Sequence, residues 1–324
     1  MGSAGALLIT LSMIVKNEEA TLAHCLKSIK DWVDEIAIVD TGSTDNTVAI
    51  ARDLGATVSH FDWIDDFSAA RNHALALVKT PWTLWLDADD LVLNPEVIAQ
   101  SCEAARKRRV NSIWSTYLQD ATCQQRRLQI FKTKDYSWQG FVHENPIPKK
   151  PTLAQHDFSE LRVLHRKPRE RAPEAAQKYL DILLAKDPGN YLGLAESYKL
   201  LGDKVNAEMY YTKAAFHPQV NDATRYVALF KAAQFCMSIA VDERSPELLK
   251  QASQMVEIAH RLQPHRAEAI VLAGQLAEAL NLPDVAKEFY QDALKLPKPT
   301  NEIGVFFHDY YGPLPKQLLS ELGQ

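Results

Sequence analysis

Asp87-Ala88-Asp89-Asp90 is the stretch of this 324-residue chain best equipped for chemistry. It follows the apolar run Trp82–Leu86 (WTLWL), and Asp87 and Asp89 stand two residues apart. On an extended backbone, residues i and i+2 share a face, so these carboxylates point the same way. Like charges so close repel unless a cation lies between them. Hard oxygen ligands suit Mg2+ or Mn2+, ions that bridge readily to phosphate oxygens. An acidic loop leading into a helix would contain the same residues; the preceding strand is what favours metal.

Three more polar clusters follow apolar runs or open a helix. One is Val15-Lys16-Asn17-Glu18-Glu19. Another is Asp40-Thr41-Gly42-Ser43-Thr44-Asp45, a turn whose glycine and small hydroxyls let a ligand approach the backbone. A helix follows it and presents its positive dipole end. Asp40 can accept hydrogen bonds from a nucleobase imide or a ribose hydroxyl, although alone this turn reads as a well-capped αβ connection. The last, Asp65–Asn72, opens a helix on which Arg71 offers a bidentate fork to a diphosphate, or else pairs with Asp66 on the helix surface.

These residues need a scaffold, and the first ~165 residues predict one by their hydrophobic pattern. Strands are expected at Leu7–Val15, Glu35–Val39, Ala56–His60 and Trp82–Leu86. Helices are expected at Glu18–Ile29, Thr47–Leu54 (capped by Ser43 or Thr44) and Phe67–Val78. The alternation predicts an α/β fold with a doubly wound, mostly parallel sheet. Ligands of such sheets sit at the carboxyl ends of the strands, where the acidic clusters fall.

From about Arg169 strand signals stop and a repeat begins. With Gly202 as a turn glycine, Tyr191, Leu194, Ala195, Tyr198, Ala207, Tyr211 and Ala214 fall on tetratricopeptide signature positions. Gly274, Ala286, Tyr290 and Ala293 form another copy. Ala252, Val256, Ala259 and Pro264 supply the second helix of a middle one, with Ala252 placed 34 residues before Ala286. Ala207 precedes Ala252 by 45, which predicts an insertion around Val241–Pro246. Ala176, Leu180, Leu183 and Pro188 read as a preceding half-copy. The expected domains are 1–168, the sheet; 169–300, an all-α tetratricopeptide solenoid; and 301–324, a tail packed on the repeats.

A net charge of −5 leaves no basic field for nucleic acid or an anionic membrane. No apolar run approaches the ~18 residues of a membrane span. The opening MGSAGALLITLSMIV lacks a basic segment and makes a poor secretory signal. Cys25, Cys102, Cys123 and Cys236 form no CxxC pair and read as reduced thiols of a cytoplasmic protein.

Together, VKNEE, VDTGSTD, WIDDFSAARN and LWLDADD, in this order, closely resemble the family 2 glycosyltransferases of the GT-A fold. The likeness is strongest to bacterial members carrying C-terminal tetratricopeptide repeats, a group that includes enzymes glycosylating bacteriocin peptides. The resemblance covers most of residues 7–168. It implies a nucleotide-sugar donor, usually a UDP-sugar, and a Mn2+ or Mg2+ ion held by Asp87 and Asp89. It also implies nucleoside contacts at Asn17, Glu18 and Asp40, and diphosphate contact through Arg71. The segment RLQIFKTKDYSWQGFVHENPI resembles the group's acceptor side, where a carboxylate serves as general base. Glu144 is the matching residue, where the family usually has Asp, and His143 is the alternative. A late histidine often ligates the metal in GT-A enzymes, and His165, ending LRVLH, is the candidate.

The expected function is inverting, metal-dependent sugar transfer to a peptide, protein or other extended acceptor. The repeats would present the acceptor, with Phe216, Tyr226 and the stretch Phe306–Tyr311 offering contact area. Docking on the catalytic domain, or assembly into a homo-oligomer, is the plainer use of the repeats. A non-catalytic adaptor would have lost Asp87, Asp89 or Arg71, and all three remain. A sugar-phosphate nucleotidyltransferase would open with a Gly-rich basic loop, which VKNEE is not.

Overall fold

Five apolar residues among the seven of Ile9–Val15, with Thr10 and Ser12 buried beside them, make β1 a strand buried on both faces, the mark of a central parallel strand. The computed structural model describes residues 9–119, 123–153, 155–166, 172–299 and 305–323. It divides into two units, Met1–Arg169 and Glu170–Gln324. Residue 168, the expected domain boundary, and residues 301–304, where the tail was expected to begin, lie outside the described residues.

In the first unit, β1 is followed by α1 (Leu22–Ile29), β2 (Glu35–Asp40), α2 (Thr47–Asp53), β3 (Thr57–His60), α3 (Phe67–Leu77) and β4 (Trp82–Trp85). Then come β5 (Asp90–Val92), α4 (Val97–Arg108), β6 (Ser112–Leu118), β7 (Cys123–Lys132), β8 (Tyr136–Gln139), β9 (Asn145–Pro148) and β10 (His156–His165). The main sheet runs β3-β2-β1-β4-β7-β6-β10-β5, and β8 pairs with β9 apart from it. Strands β1 to β4 are mutually parallel, β7 runs against β4 and β6, and β10 is parallel to β6. This is the mostly parallel, GT-A-type sheet expected. The strand order reverses at β1, with β2 on one side and β4 on the other, and crevices at such switch points hold ligands.

Two local expectations need correction. The helix expected from Glu18 begins only at Leu22, because Asn17 takes a left-handed φ of 55° and Glu18–Thr21 form a turn. Neither Ser43 nor Thr44 caps α2: Asn46 precedes it, and the Ser43 hydroxyl instead accepts from the Asn17 amide at 2.9 Å.

The second unit is helical: α5 (Ala172–Lys186), α6 (Tyr191–Leu200), α7 (Lys204–Phe216), α8 (Asp222–Glu243), α9 (Pro246–Leu262), α10 (Ala267–Ala279), α11 (Pro283–Lys295) and α12 (Pro313–Leu322). The pairs α6–α7, α8–α9 and α10–α11 carry the small residues of the repeat on their buried faces. Ala195, Ala207, Ala252, Ala259 and Ala286 are fully buried. Paired helices approach closely at such positions. Gly202 turns between α6 and α7 at φ +79°. The expected insertion is not a loop. It is absorbed as helix, making α8 22 residues long against 10 for α6, and only Arg244 and Ser245 separate α8 from α9. Tyr226 is a second correction: it is buried in the core, while Phe216 is exposed. The side chains of Phe306, Phe307 and His308 lie outside the described residues. Tyr310 and Tyr311 pack against the repeat helices, and the Tyr311 hydroxyl donates to Glu268 at 2.7 Å.

Among the described residues, no helix is long and apolar enough to cross a membrane. Cys25, Cys102 and Cys236 are buried free thiols.

Candidate active site

The end of β4 sets the site. Two residues past Trp85 the chain turns, and the Asp90 amide donates back to the Asp87 carbonyl at 3.0 Å. Ala88 and Asp89 therefore occupy a turn, and the extended spacing assumed for Asp87 and Asp89 does not hold. Their carboxylates go to different partners. Asp87 Oδ1 accepts from Arg71 Nη2 at 2.6 Å and Oδ2 from Arg127 Nη2 at 3.0 Å. Burial alone would raise its pKa, but the two guanidiniums hold it well below the usual carboxylate range.

Asp89, Asp90 and His165 instead converge, each offering a ligand atom within 4.8 Å of the others. His165 ends β10 directly opposite Asp90, the first residue of β5. Its Nδ1 lies 3.1 Å from Asp90 Oδ1 and 3.4 Å from Asp89 Oδ1. Asp90 is fully buried; Tyr117 donates to its Oδ1 at 2.7 Å and the Asp87 amide to its Oδ2 at 2.9 Å. Asp89 is pushed up to about 6, first by burial; His165 opposes this, while Asp87, Asp90 and Glu18 reinforce it. Burial would lower the His165 pKa, but the Asp90 hydrogen bond and the carboxylates of Asp89, Asp90 and Asp87 raise it instead. The Asp89 carboxylate and the His165 imidazole form a donor set that fits a divalent ion such as Mn2+ or Mg2+, with Asp90, already bonded to Tyr117 and the Asp87 amide, behind His165 as an orienting carboxylate.

Arg71 enters from α3, which Asp66 caps by accepting from the Ala69 amide. The guanidinium carbon lies 4.7 Å from the ring centres of both Trp85 and Trp138. Its Nε donates to Glu144 Oε1 and its Nη2 to Asp87, so it does not pair with Asp66. Burial would weaken its charge, but Glu144 and Asp87 more than restore it. Glu144 follows His143, an exposed residue at φ 57°.

Beside this network lies the turn after β2. Asp40 accepts from the amides of Gly42 and Ser43 at 3.1 Å, and Asn17 Oδ1 accepts from the Thr44 amide at 2.8 Å. The Glu18 amide donates to Thr47 Oγ1 at 2.7 Å, and its carboxylate accepts from Thr21. Val15 and Asp40 are register partners, which brings Asn17 and Glu18 to the same edge as Asp40.

The sequence model of Glycosyl transferase family 2 matches residues 10–171, half of the chain and the whole of this edge. The chain belongs to that family. It is 31% identical over 165 residues to the SPbeta prophage-derived glycosyltransferase SunS of Bacillus subtilis, covering 48% of this chain and 39% of that protein. It is also 54% identical over 82 residues to a TPR repeat-containing protein of Synechococcus elongatus, covering 25% of this chain and 20% of the relative. The chain thus spans well under half the length of these relatives. A solved glucosyl-3-phosphoglycerate synthase from Mycobacterium tuberculosis overlaps 35% of this chain and 44% of its own at 24% identity, with a TM-score of 0.30.

For a family 2 domain, the expected residues gather at one sheet edge, but with different partners. Asp87 was expected beside Asp89 on the ion and is clamped by two arginines instead. Arg71 was expected to face a diphosphate, and is buried with Glu144 and Asp87. Sequence reasoning passed over Arg127, Tyr117 and the ligand-grade position of Asp90. The Arg126-Arg127 pair in CQQRRLQIFK was a signal, but a β-bulge at Gln129 breaks the alternation of β7 and hides which arginine turns to the site. Arg126 bonds Thr116 and the Ser159 carbonyl instead.

Proposed function

We propose that the first unit transfers a sugar from a nucleotide-diphosphate donor, most simply a UDP-sugar, to an acceptor hydroxyl, amide or thiol, with inversion at the anomeric carbon. The observation that carries this reading is the convergence of Asp89, Asp90 and His165 at the carboxyl edge of the sheet, beside the strand-order switch point. Asp89 and His165 hold Mn2+ or Mg2+, and Asp90 orients His165. Bound there, the ion supplies positive charge to a departing nucleoside diphosphate. Asn17, Glu18 and Asp40 border the nucleoside.

Glu144 is the general base, with His143 second. Arg71 fixes one Glu144 oxygen, and no described residue engages Oε2, which is left to take the acceptor proton. The network Glu144–Arg71–Asp87–Arg127 links the base to the ion edge, so both are held by one rigid set of bonds. The helical unit recruits an extended acceptor, in keeping with the grooves that stacked helix pairs form.

The test is UDP release from a panel of UDP-sugars, with and without Mn2+. One donor should be hydrolysed slowly in the presence of ion, and Asp89→Ala should abolish ion-dependent UDP binding by calorimetry without lowering the unfolding temperature. Unchanged ion-dependent affinity in that variant overturns the ion site; no release from any donor overturns the reading.

A further inference from the structure

The guanidinium of Arg127 is sandwiched, with its carbon 3.8 Å from the Trp85 ring centre and 4.1 Å from that of Tyr117. Rings on both faces leave only in-plane N–H directions, a constraint that lysine does not share. Nη2 takes Asp87 Oδ2 at 3.0 Å. Nη1 is buried without a hydrogen-bond partner among the described residues and lies 3.8 Å from Asp90 Oδ2. A buried donor left unsatisfied is rare in a folded protein and calls for an explanation. Arg71 occupies the other Asp87 oxygen. Both Asp87 oxygens are therefore engaged by guanidiniums, which compete with an ion for them.

We propose that Arg127 determines which divalent ion the site selects, by holding Asp87 out of the ligand set. The inference rests on the reading of Asp89 and His165 as ligands. With Asp87 withheld, the ion meets one carboxylate and an imidazole, a mixed set that suits Mn2+ better than Mg2+. The local charge agrees. Asp87, Asp89, Asp90 and Glu144 against Arg71 and Arg127 leave two negative charges when the imidazole is neutral, the complement of one divalent cation. Without Arg127, Asp87 Oδ2 becomes available and the site turns more acidic and richer in oxygen. That change favours Mg2+.

The experiment measures bare-ion binding to the full chain without nucleotide, following free Mn2+ by paramagnetic resonance and Mg2+ by competition. The wild-type protein should bind Mn2+ with Mg2+ competing poorly. Arg127→Met should cut that preference by at least ~10-fold, the scale of losing an outer-shell partner. Arg127→Met/Asp87→Asn should restore it to within ~3-fold, because an amide adds no charged oxygen. An unaltered preference in folded Arg127→Met overturns the proposal. Should that variant fail to fold, Asp87→Asn alone decides: Mn2+ affinity within ~3-fold of wild type supports a withheld Asp87, and a loss beyond ~10-fold makes Asp87 a ligand and overturns it. Absence of any Mn2+ binding by the wild-type protein overturns the ion-site reading, and this inference with it.

Discussion

Each unit buries an arginine under an aromatic ring and against a carboxylate, yet the two arrangements differ in completeness. In the helical unit, Arg266 lies 4.4 Å over Tyr226 and donates through Nε and Nη2 to both oxygens of Glu268, at 3.2 and 2.7 Å. The hydroxyls of Tyr226 and Tyr311 add to the same carboxylate. In the sheet unit, Arg127 keeps a buried Nη1 without a hydrogen bond among the described residues, and burial, reinforced by Asp87, Asp90 and Glu18, pushes the Asp89 carboxyl up to about 6. A closed ion pair fixes structure. An open one leaves a buried donor without a hydrogen bond and carboxylates crowded together, and these are what a ligand can satisfy.

The largest expected effect breaks the closed pair. Glu268→Ala strands Arg266, whose side chain is 5% exposed, and removing one partner of a buried pair costs about 3–5 kcal/mol. Denaturant unfolding of the variant should show a loss of that size. A loss below about 1 kcal/mol would mean that the pair is not closed in solution.

In the open network, the same kind of change should cost rate rather than stability. Glu144→Gln keeps an oxygen for Arg71 Nε, so the unfolding midpoint should barely move, while transfer to a saturating acceptor falls by ~10²-fold. Donor binding should persist. Near wild-type transfer would shift the base to His143.

The contrast also explains what the sequence could convey. The strands and most of the helices around the site follow hydrophobic period, and the carboxyl-edge rule then collects Asn17, Asp40, Asp87 and Asp89 without any side-chain knowledge. Partner choice depends on turns and bulges a few residues long. The tight turn at Ala88–Asp89 separates two carboxylates that alternation would align, and the bulge at Gln129 conceals Arg127. In the helical unit, the 34-residue period marks the small residues correctly, because close helix approach needs them at fixed positions. It says nothing of where extra length goes, and α8 takes it as added helical turns. The expectation that Tyr226 offers contact area to an acceptor also fails, because its ring covers Arg266 in the core.

The smallest expected effect probes packing without charge. Gly274 of α10 faces Tyr290 of α11, and a Cβ built at position 274 would fall 2.3 Å from Tyr290 Cε1 and 2.8 Å from Cδ1. The ring cannot retreat easily: Tyr290 is fully buried, and its hydroxyl donates to Glu278. Alanine is the better helix former by ~1 kcal/mol, so intrinsic propensity predicts that Gly274→Ala stabilises. Overpacking a filled seam costs about 1–3 kcal/mol, and with so short a contact the upper part of that range applies. Net destabilisation of about 1–2 kcal/mol should follow in denaturant unfolding. The pair Gly274→Ala/Tyr290→Leu should recover much of the cost of the first change, a coupling that independent sites would not show. A neutral or stabilising Gly274→Ala would mean that α10 and α11 part more readily than their contact implies, and that the helical unit depends on its buried ion pair more than on its small residues.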